Sequence, residues 1–384
     1  MSATRSQVSV AAPEIRFQRP ELPALAEVAP YYELAEQARY FANGGPCQQL
    51  LEQRLQDLLG GSCILTASGT AGLLIALRGA LGPASGRPVI TPSFTFAATA
   101  CAIEWAGFRP LFVDIEPRGW HLDPEELERA LRLHPDTAGV LACSTFGTPP
   151  PRWVREAYRE LCARAGVPLL FDSAAAFGSL DDQGILAGSA GDTEVFSFHA
   201  TKPFAIGEGG LVVTHDERLA EQLRALANFG MPPGARVAQF GVGLNAKLCE
   251  LGAATGLAML DRFPGVLARR RAAARSVQEA IGSDRIRYQD GSGDSTWQIM
   301  QLLVPDAPAR ERLLQLAERD RIQARGYFDP PLHQQGAFVS AGRVGGLPVT
   351  NALSPRMVSL PMANDLTSDE ATRIAAIVRE AVPS

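Results

Sequence analysis

Lysine is almost missing from this chain: of 36 basic residues only Lys202 and Lys247 are lysines, and the other 34 are arginine. A composition that writes positive charge as arginine leaves little reason for a lysine except where an amine is required, because a guanidinium cannot lose its proton or form an imine. Cysteine is sparse as well. The six, Cys47, Cys63, Cys101, Cys143, Cys162 and Cys249, are scattered without a C-x-x-C pair. That spacing argues against a disulfide framework and against a metal site, and predicts reduced thiols packed in cores. No apolar run approaches the roughly 20 residues that cross a bilayer, and the N-terminus has no basic start followed by an apolar stretch. A cytoplasmic protein without a membrane partner is expected. The net charge of −5 provides no general basic field for nucleic acid.

What is present is a chain of 384 residues, 46% hydrophobic, long enough for a large domain and a smaller one. From about residue 45 to 215, helix-like segments alternate with the apolar runs GSCILTA, RPVITPS, RPLFVDI, AGVLACSTF, VPLLFDSA, TEVFSFH and GGLVVT. Such alternation predicts an α/β fold with a mostly parallel seven-stranded sheet between helices. Several runs are apolar throughout, as strands covered on both faces are. Beyond Asn245 the texture changes to a long helix with Pro264 as a candidate kink, then a strand (TWQIMQLLV), a helix (PARERLLQLAERDR) and a closing helix with Thr367 at its N-cap and Glu370 three residues on. The expected division is an N-terminal arm over 1–40, a large domain over 41–262 and a smaller α+β domain over 263–384.

In an open parallel sheet, ligands bind beyond the carboxyl ends of the strands. Four stretches place chemistry there. In ILTASGTAGLLIALRGAL a strand runs into Ser68, Gly69 and Thr70 and then a helix, whose free N–H groups suit a phosphate; a Ser/Thr N-cap with a packing glycine accounts for the same residues. In PLLFDSAAAFGS, Asp172 follows an apolar run. It is either a helix cap or a buried carboxylate that needs a cation, such as a protonated ring nitrogen. In SFHATKPFAIGEGG, Ser197 and Lys202 follow a strand, and a poorly solvated ammonium there loses its proton more easily and becomes a nucleophile. In TPSFTFAATACA, Phe94 and Phe96 are core residues or, for one of them, a face for a flat ring. Together these parts match what pyridoxal phosphate requires.

The chain resembles the DegT/DnrJ/EryC1/StrS family of fold-type I sugar aminotransferases from about Asn43 onward. The likeness rests on NGGP at 43 to 46, ASGTAGL at 67 to 73, TPSFTFAAT at 91 to 99, PLFVDI at 110 to 115 and FDSAAAFGS at 171 to 179. It continues through SFHATK with GEGG, GLNAKLCELGAA at 243 to 254, GYFDPPLH at 326 to 333 and SLPM at 359 to 362. The resemblance implies that Lys202 carries pyridoxal 5'-phosphate, Asp172 pairs with its ring nitrogen and Phe96 covers one ring face. It further implies that Gly69, Thr70 and Ser197 hold the phosphate and that Asn245 reaches the phosphate bound by a neighbouring subunit of a homodimer. Lys247, in the same motif, is expected in a structural charge pair at that subunit interface rather than at a substrate. The implied reaction moves an amino group from L-glutamate to a ketosugar linked to a nucleoside diphosphate, with motif wording nearest to members acting on a dTDP-4-keto-6-deoxyhexose. Tyr327 and His333 are candidate sugar-nucleotide contacts, or parts of an ordered turn.

One position departs from the family pattern. Three residues after the aspartate, where a Gln or His is usual, stands Ala175. An aminotransferase for a non-nucleotide ketone such as an aminocyclitol precursor, or a cofactor-binding regulatory protein without turnover, therefore remains open beside the main reading.

Overall fold

A computed structural model describes residues 13–383, so residues 1–12 of the expected arm lie outside the described residues. The seven expected strands all form: β1 (Ser62–Thr66), β2 (Pro88–Pro92), β3 (Arg109–Val113), β4 (Gly139–Cys143), β5 (Leu169–Asp172), β6 (Thr193–Ser197) and β7 (Gly210–Thr214). They join one sheet in the order β1-β7-β6-β5-β4-β2-β3, with β7 antiparallel to both neighbours and the rest parallel. Two further strands, β8 (Met300–Leu303) and β10 (Met357–Leu360), pair antiparallel in a small second sheet. Between them in sequence, β9 (Gly342–Arg343) lies beside β3 as an eighth strand of the large sheet. That corrects the expected seven. A two-residue strand has no periodicity to read, and its pairing with Leu111 and Phe112 is set by tertiary contact.

Strands β2, β4 and β7 are buried along their whole length, which is why their sequences are apolar without alternation. Helices α1 (Leu25–Ala38) and α2 (Pro46–Leu59) precede β1; α3 (Gly69–Leu81), α4 (Ala97–Trp105), α5 (Pro124–Leu133), α6 (Arg152–Ala165) and α7 (Glu217–Leu226) follow or connect the strands. The long helix is α8 (Glu250–Ile281), one element of 32 residues that carries Pro264 inside it without ending there. After it come α9 (Ala307–Arg319), α10 (Pro348–Leu353) and α11 (Ser368–Ala381). As read from the sequence, Thr367 and Glu370 form a capping box on α11.

Helix α8 belongs to two cores. Its first part, through Ala253, Leu257, Phe263 and Val266, packs with α1, α2 and one face of the large sheet. Its last part, through Ala274, Val277 and Ile281, packs with β8, β10, α9 and α11. Arg270 lies between the two, buried at 5% exposure. All six cysteines are free, but only four are buried: Cys101 is half-buried, and Cys249 is exposed at the N-cap of α8. The expectation of six core thiols fails at Cys249, which stands at the N-cap of α8, whereas Cys101, in the middle of α4, packs half-buried against the edge of a core cluster.

Candidate active site

Beyond the carboxyl ends of β1, β2, β4, β5 and β6 lies a cavity of about 520 Å³. Gly69, Thr70, Phe96, Asp172, Ser197 and Lys202 all line it, as does Tyr327. The fold thus brings together residues from separate strand ends, as the sheet topology requires.

One end of the cavity is built around the start of α3. The Ser68 hydroxyl accepts from Ala71 N at 3.1 Å, and Gly72 N donates to Ser68 O at 3.0 Å. Ser68 therefore caps the helix, and the N–H groups of Gly69 and Thr70, first in the helix, have no helical acceptor. A Cβ on Gly69 would stand 2.8 Å from Ser197 Cβ, so any other residue there would have to push the start of α3 and the end of β6 apart. Across the same junction, a Cβ on Gly210 would meet Gly69 N and Ser68 O at 2.7 Å. The start of α3, the end of β6 and the start of β7 thus touch backbone to backbone.

The aromatic pair divides. Phe94 is fully buried and packs edge-on against Phe146 and Phe328, while Phe96, at the N-cap of α4, is 59% exposed and faces the cavity.

Asp172 ends β5 and caps no helix. Its Oδ2 accepts from Thr99 Oγ1 at 2.6 Å, and its Oδ1 from Ala174 N at 3.2 Å. Burial pushes its carboxyl pKa up; the two hydrogen bonds and the nearby Lys202 charge act in the opposite direction. No ion pair reaches it among the described residues. A buried carboxylate with donors on one side and an open cavity on the other suits a cationic ring nitrogen. The Cys143 thiol beside it is raised by burial and by the Asp172 charge, so it stays a neutral lining group.

Lys202 shares this low-dielectric setting. Burial lowers its ammonium pKa to about 8, with Asp172 pulling the other way. Its Nζ donates to Gln298 Oε1 at 3.1 Å. Gln298 comes from the segment entering β8, in the C-terminal third, and no sequence signal marked it. Also unmarked were Thr99, on α4, and a buried ionic cluster beneath the site. In that cluster Arg155 of α6 meets Glu194 at 2.6 Å and Asp192 at 3.0 Å. Ser173 Oγ then bonds Glu194 at 2.7 Å and lies 2.9 Å from Ser144 Oγ.

Two candidate residues stand away from the cavity. His333 is buried with both ring nitrogens engaged, Nδ1 at 2.7 Å from Ser93 Oγ and Nε2 at 3.1 Å from Asn351 Oδ1. The structure uses it as a brace, not as a cavity-lining group. Asn245 is exposed, and its backbone bridges to Asn228. Lys247, expected in a charge pair across the subunit interface, donates within its own chain to the neutral Asn228 Oδ1 at 2.9 Å and lies 4.9 Å from the Phe229 ring centroid. At position 175 the side chain is a methyl group, and its carbonyl accepts from Thr296 Oγ1 at 2.7 Å.

A mostly parallel sheet that presents a depressed amine and a buried acid to one phosphate-ready cavity defines a pyridoxal-phosphate-dependent aminotransferase. Within that class, the chain belongs to the DegT/DnrJ/EryC1/StrS aminotransferase family, whose model matches residues 26–379. A Mycobacterium tuberculosis protein, Rv3402c, is 35% identical over 376 residues, covering 96% of this chain and 90% of its own. The dTDP-4-amino-4,6-dideoxy-D-glucose transaminase of Shigella dysenteriae is 32% identical over 368 residues, 94% of this chain and 97% of its own. Among solved structures, DesI in the presence of its TDP-sugar product superposes with a TM-score of 0.87 at 33% identity, covering 96% of this chain and 93% of its own.

Proposed function

We propose that this enzyme moves an amino group from L-glutamate to a keto-deoxysugar linked to a nucleoside diphosphate, with a dTDP-4-keto-6-deoxyhexose as the substrate. The observation that carries this reading is near full-length similarity, at about a third identity, to a dTDP-4-amino-4,6-dideoxy-D-glucose transaminase and to DesI.

The residues at the cavity fit pyridoxal phosphate. A Cβ at Gly69 would crowd Ser197 beside the α3 N-terminus, and among the described residues Asp172 pairs with no cation. When bound, the cofactor supplies an electron sink for charge developing at the carbon that bears the nitrogen. The protein supplies the rest. Gly69 N, Thr70 N and Ser197 Oγ hold the phosphate. Phe96 covers one ring face. Asp172 keeps a proton on the ring nitrogen, and that pairing returns its own pKa toward the carboxylate range. Lys202 would hold the cofactor, and its free Nζ would take a proton and return it; a pKa near 8 lets both forms exist at working pH. Tyr327 stands at the cavity wall where the sugar would enter.

The active unit in this reading is a homodimer, with Asn245 reaching the partner's phosphate; its exposure, and its place outside the lining of its own cavity, support that role. A division of the chain near residue 262 belongs to the same reading, supported by the two cores that α8 joins.

Purified holoenzyme should release 2-oxoglutarate from L-glutamate in the presence of a dTDP-4-keto-6-deoxyhexose. The comparison set is dTDP-, UDP- and GDP-linked ketosugars beside free ketocyclitols. Turnover confined to a ketocyclitol, or none with any acceptor, would sink the reading.

A further inference from the structure

The hydrogen bond between Lys202 Nζ and Gln298 Oε1, 3.1 Å long, is the side-chain contact that the amine makes among the described residues. An ammonium has donors only, so the amide must turn its oxygen toward it. Gln298 lines the main cavity and also a second, water-sized space of about 10 Å³ behind Lys202.

The backbone that carries this amide is clamped. Arg270, buried on α8, donates to Gln298 O at 2.9 Å, to Trp297 O at 2.9 and 3.1 Å and to Thr296 O at 3.2 Å. From the other side, Thr296 Oγ1 donates to Ala175 O at 2.7 Å. A guanidinium that donates to three successive carbonyls, and on to Asn364 Oδ1 at 2.7 Å and Met362 O at 3.3 Å, fixes a segment with no regular secondary structure of its own. The other charged or titratable groups around Lys202 are Asp172 from β5, Cys143 from β4, His199 and Glu208 from the turn after β6, Tyr327, and Arg19, Glu21 and Arg270 around the rear space. None of them forms an ion pair with Nζ.

We propose that Gln298 is the positioning residue for Lys202: its amide oxygen, held by the Arg270 clamp, fixes where the amine waits in the cavity and stabilises its protonated form. The proposal rests on Lys202 being the amine that carries the cofactor.

The scarcity of lysine makes the test clean. Trace acylation of the full-length apoenzyme with acetic anhydride across pH, read by peptide mass spectrometry, titrates Lys202 and Lys247 side by side, with Lys247 as the internal reference. In Gln298→Leu the Lys202 midpoint should fall by about 0.5 to 1 unit, the size of one lost hydrogen bond, while Lys247 stays where it was. In the near-isosteric Gln298→Glu it should rise instead. In the holoenzyme, kcat of Gln298→Leu should drop roughly tenfold with the donor KM within about twofold, the pattern of a group acting after binding. Borohydride fixation of the wild-type cofactor anywhere but Lys202 overturns the underlying assignment and the proposal with it. Fixation at Lys202 together with an unmoved Lys202 midpoint in both variants, or an equal shift at Lys247, overturns the proposal alone.

Discussion

Thr99 Oγ1 donates to Asp172 Oδ2 at 2.6 Å, so the acid at the end of β5 is held by a hydroxyl from α4 and not by a cation of this chain. Burial raises the Asp172 pKa, and the Thr99 bond is the first of the contacts that lower it. Replacing Asp172 with Asn keeps the shape and removes the charge that would hold a ring proton. Turnover should fall by roughly 10² to 10⁴, the range for loss of a positioned proton-handling group, while absorbance shows the cofactor still bound. Thr99→Val removes a bond to a charged group worth about 1.5 to 3 kcal/mol. It should therefore cost roughly tenfold or more in kcat. Wild-type turnover in Asp172→Asn would remove the acid from the chemistry.

Much of this site could be read from strand ends, because a parallel sheet sends residues that follow apolar runs to one edge. Asp172, Ser197 and Lys202 each directly end or follow such a run, and Gly69 opens the first helix after β1. Gln298 and Thr99 were not legible. Gln298 reaches Lys202 across 96 positions of sequence, from the start of a stretch that reads as strand although the strand itself begins only at Met300, and Thr99 looks like any small residue in the first turn of a helix. His333 is the converse case: a histidine in a turn offers two polar nitrogens, and only tertiary structure shows that Ser93 and Asn351 already occupy them, as in the ordered turn that the sequence also allowed.

The two glycines at the phosphate end predict different failures. At Gly69 the nearest obstacle to a Cβ is the Ser197 side chain at 2.8 Å; at Gly210 it is backbone, Gly69 N and Ser68 O at 2.7 Å. Gly69→Ala should fold, with β6 and α3 displaced slightly, and bind pyridoxal phosphate at least tenfold more weakly, as expected when one charge-assisted contact is misplaced. Gly210→Ala should lower the melting temperature of the apoenzyme as well, because backbone on both sides must give. Equal cofactor affinity in Gly69→Ala and wild type would place the phosphate elsewhere.

Arg155 gives a stability prediction independent of the cofactor. It is 2% exposed and joins Glu194, which is fully buried, to Asp192. Arg155→Met leaves the Glu194 charge buried, a loss of about 3 to 5 kcal/mol for a broken buried pair. Arg159 still holds Asp192 at 2.7 Å, so the cost concentrates on Glu194. Adding Glu194→Gln to Arg155→Met should recover most of the melting temperature, since the orphaned charge is gone. Calorimetry of the two variants decides it; a double variant no more stable than the single would mean that Arg155 acts through its packing over the Phe171 ring, 4.6 Å away.

Lys202 itself is a cost to the fold, and the cost has a pH signature. Burial lowers its pKa to about 8, opposed by Asp172, whereas an unfolded lysine titrates near 10.4. Below about 8 both states hold the proton and the folded state carries a poorly solvated ammonium, so the penalty is full and flat. Between about 8 and 10.4 the unfolded state holds more protons than the folded one, and the stability contribution rises with pH. Above that range neither state is charged and the penalty is gone. Lys202→Met removes the amine and keeps much of its length. As apoenzyme it should therefore melt at a higher temperature than wild type near pH 7, and the gap should narrow through the window from about 8 to 10.4. A variant less stable than wild type at neutral pH would show that the Gln298 contact and the Asp172 charge outweigh burial, and that the amine is not held near its neutral form by the fold.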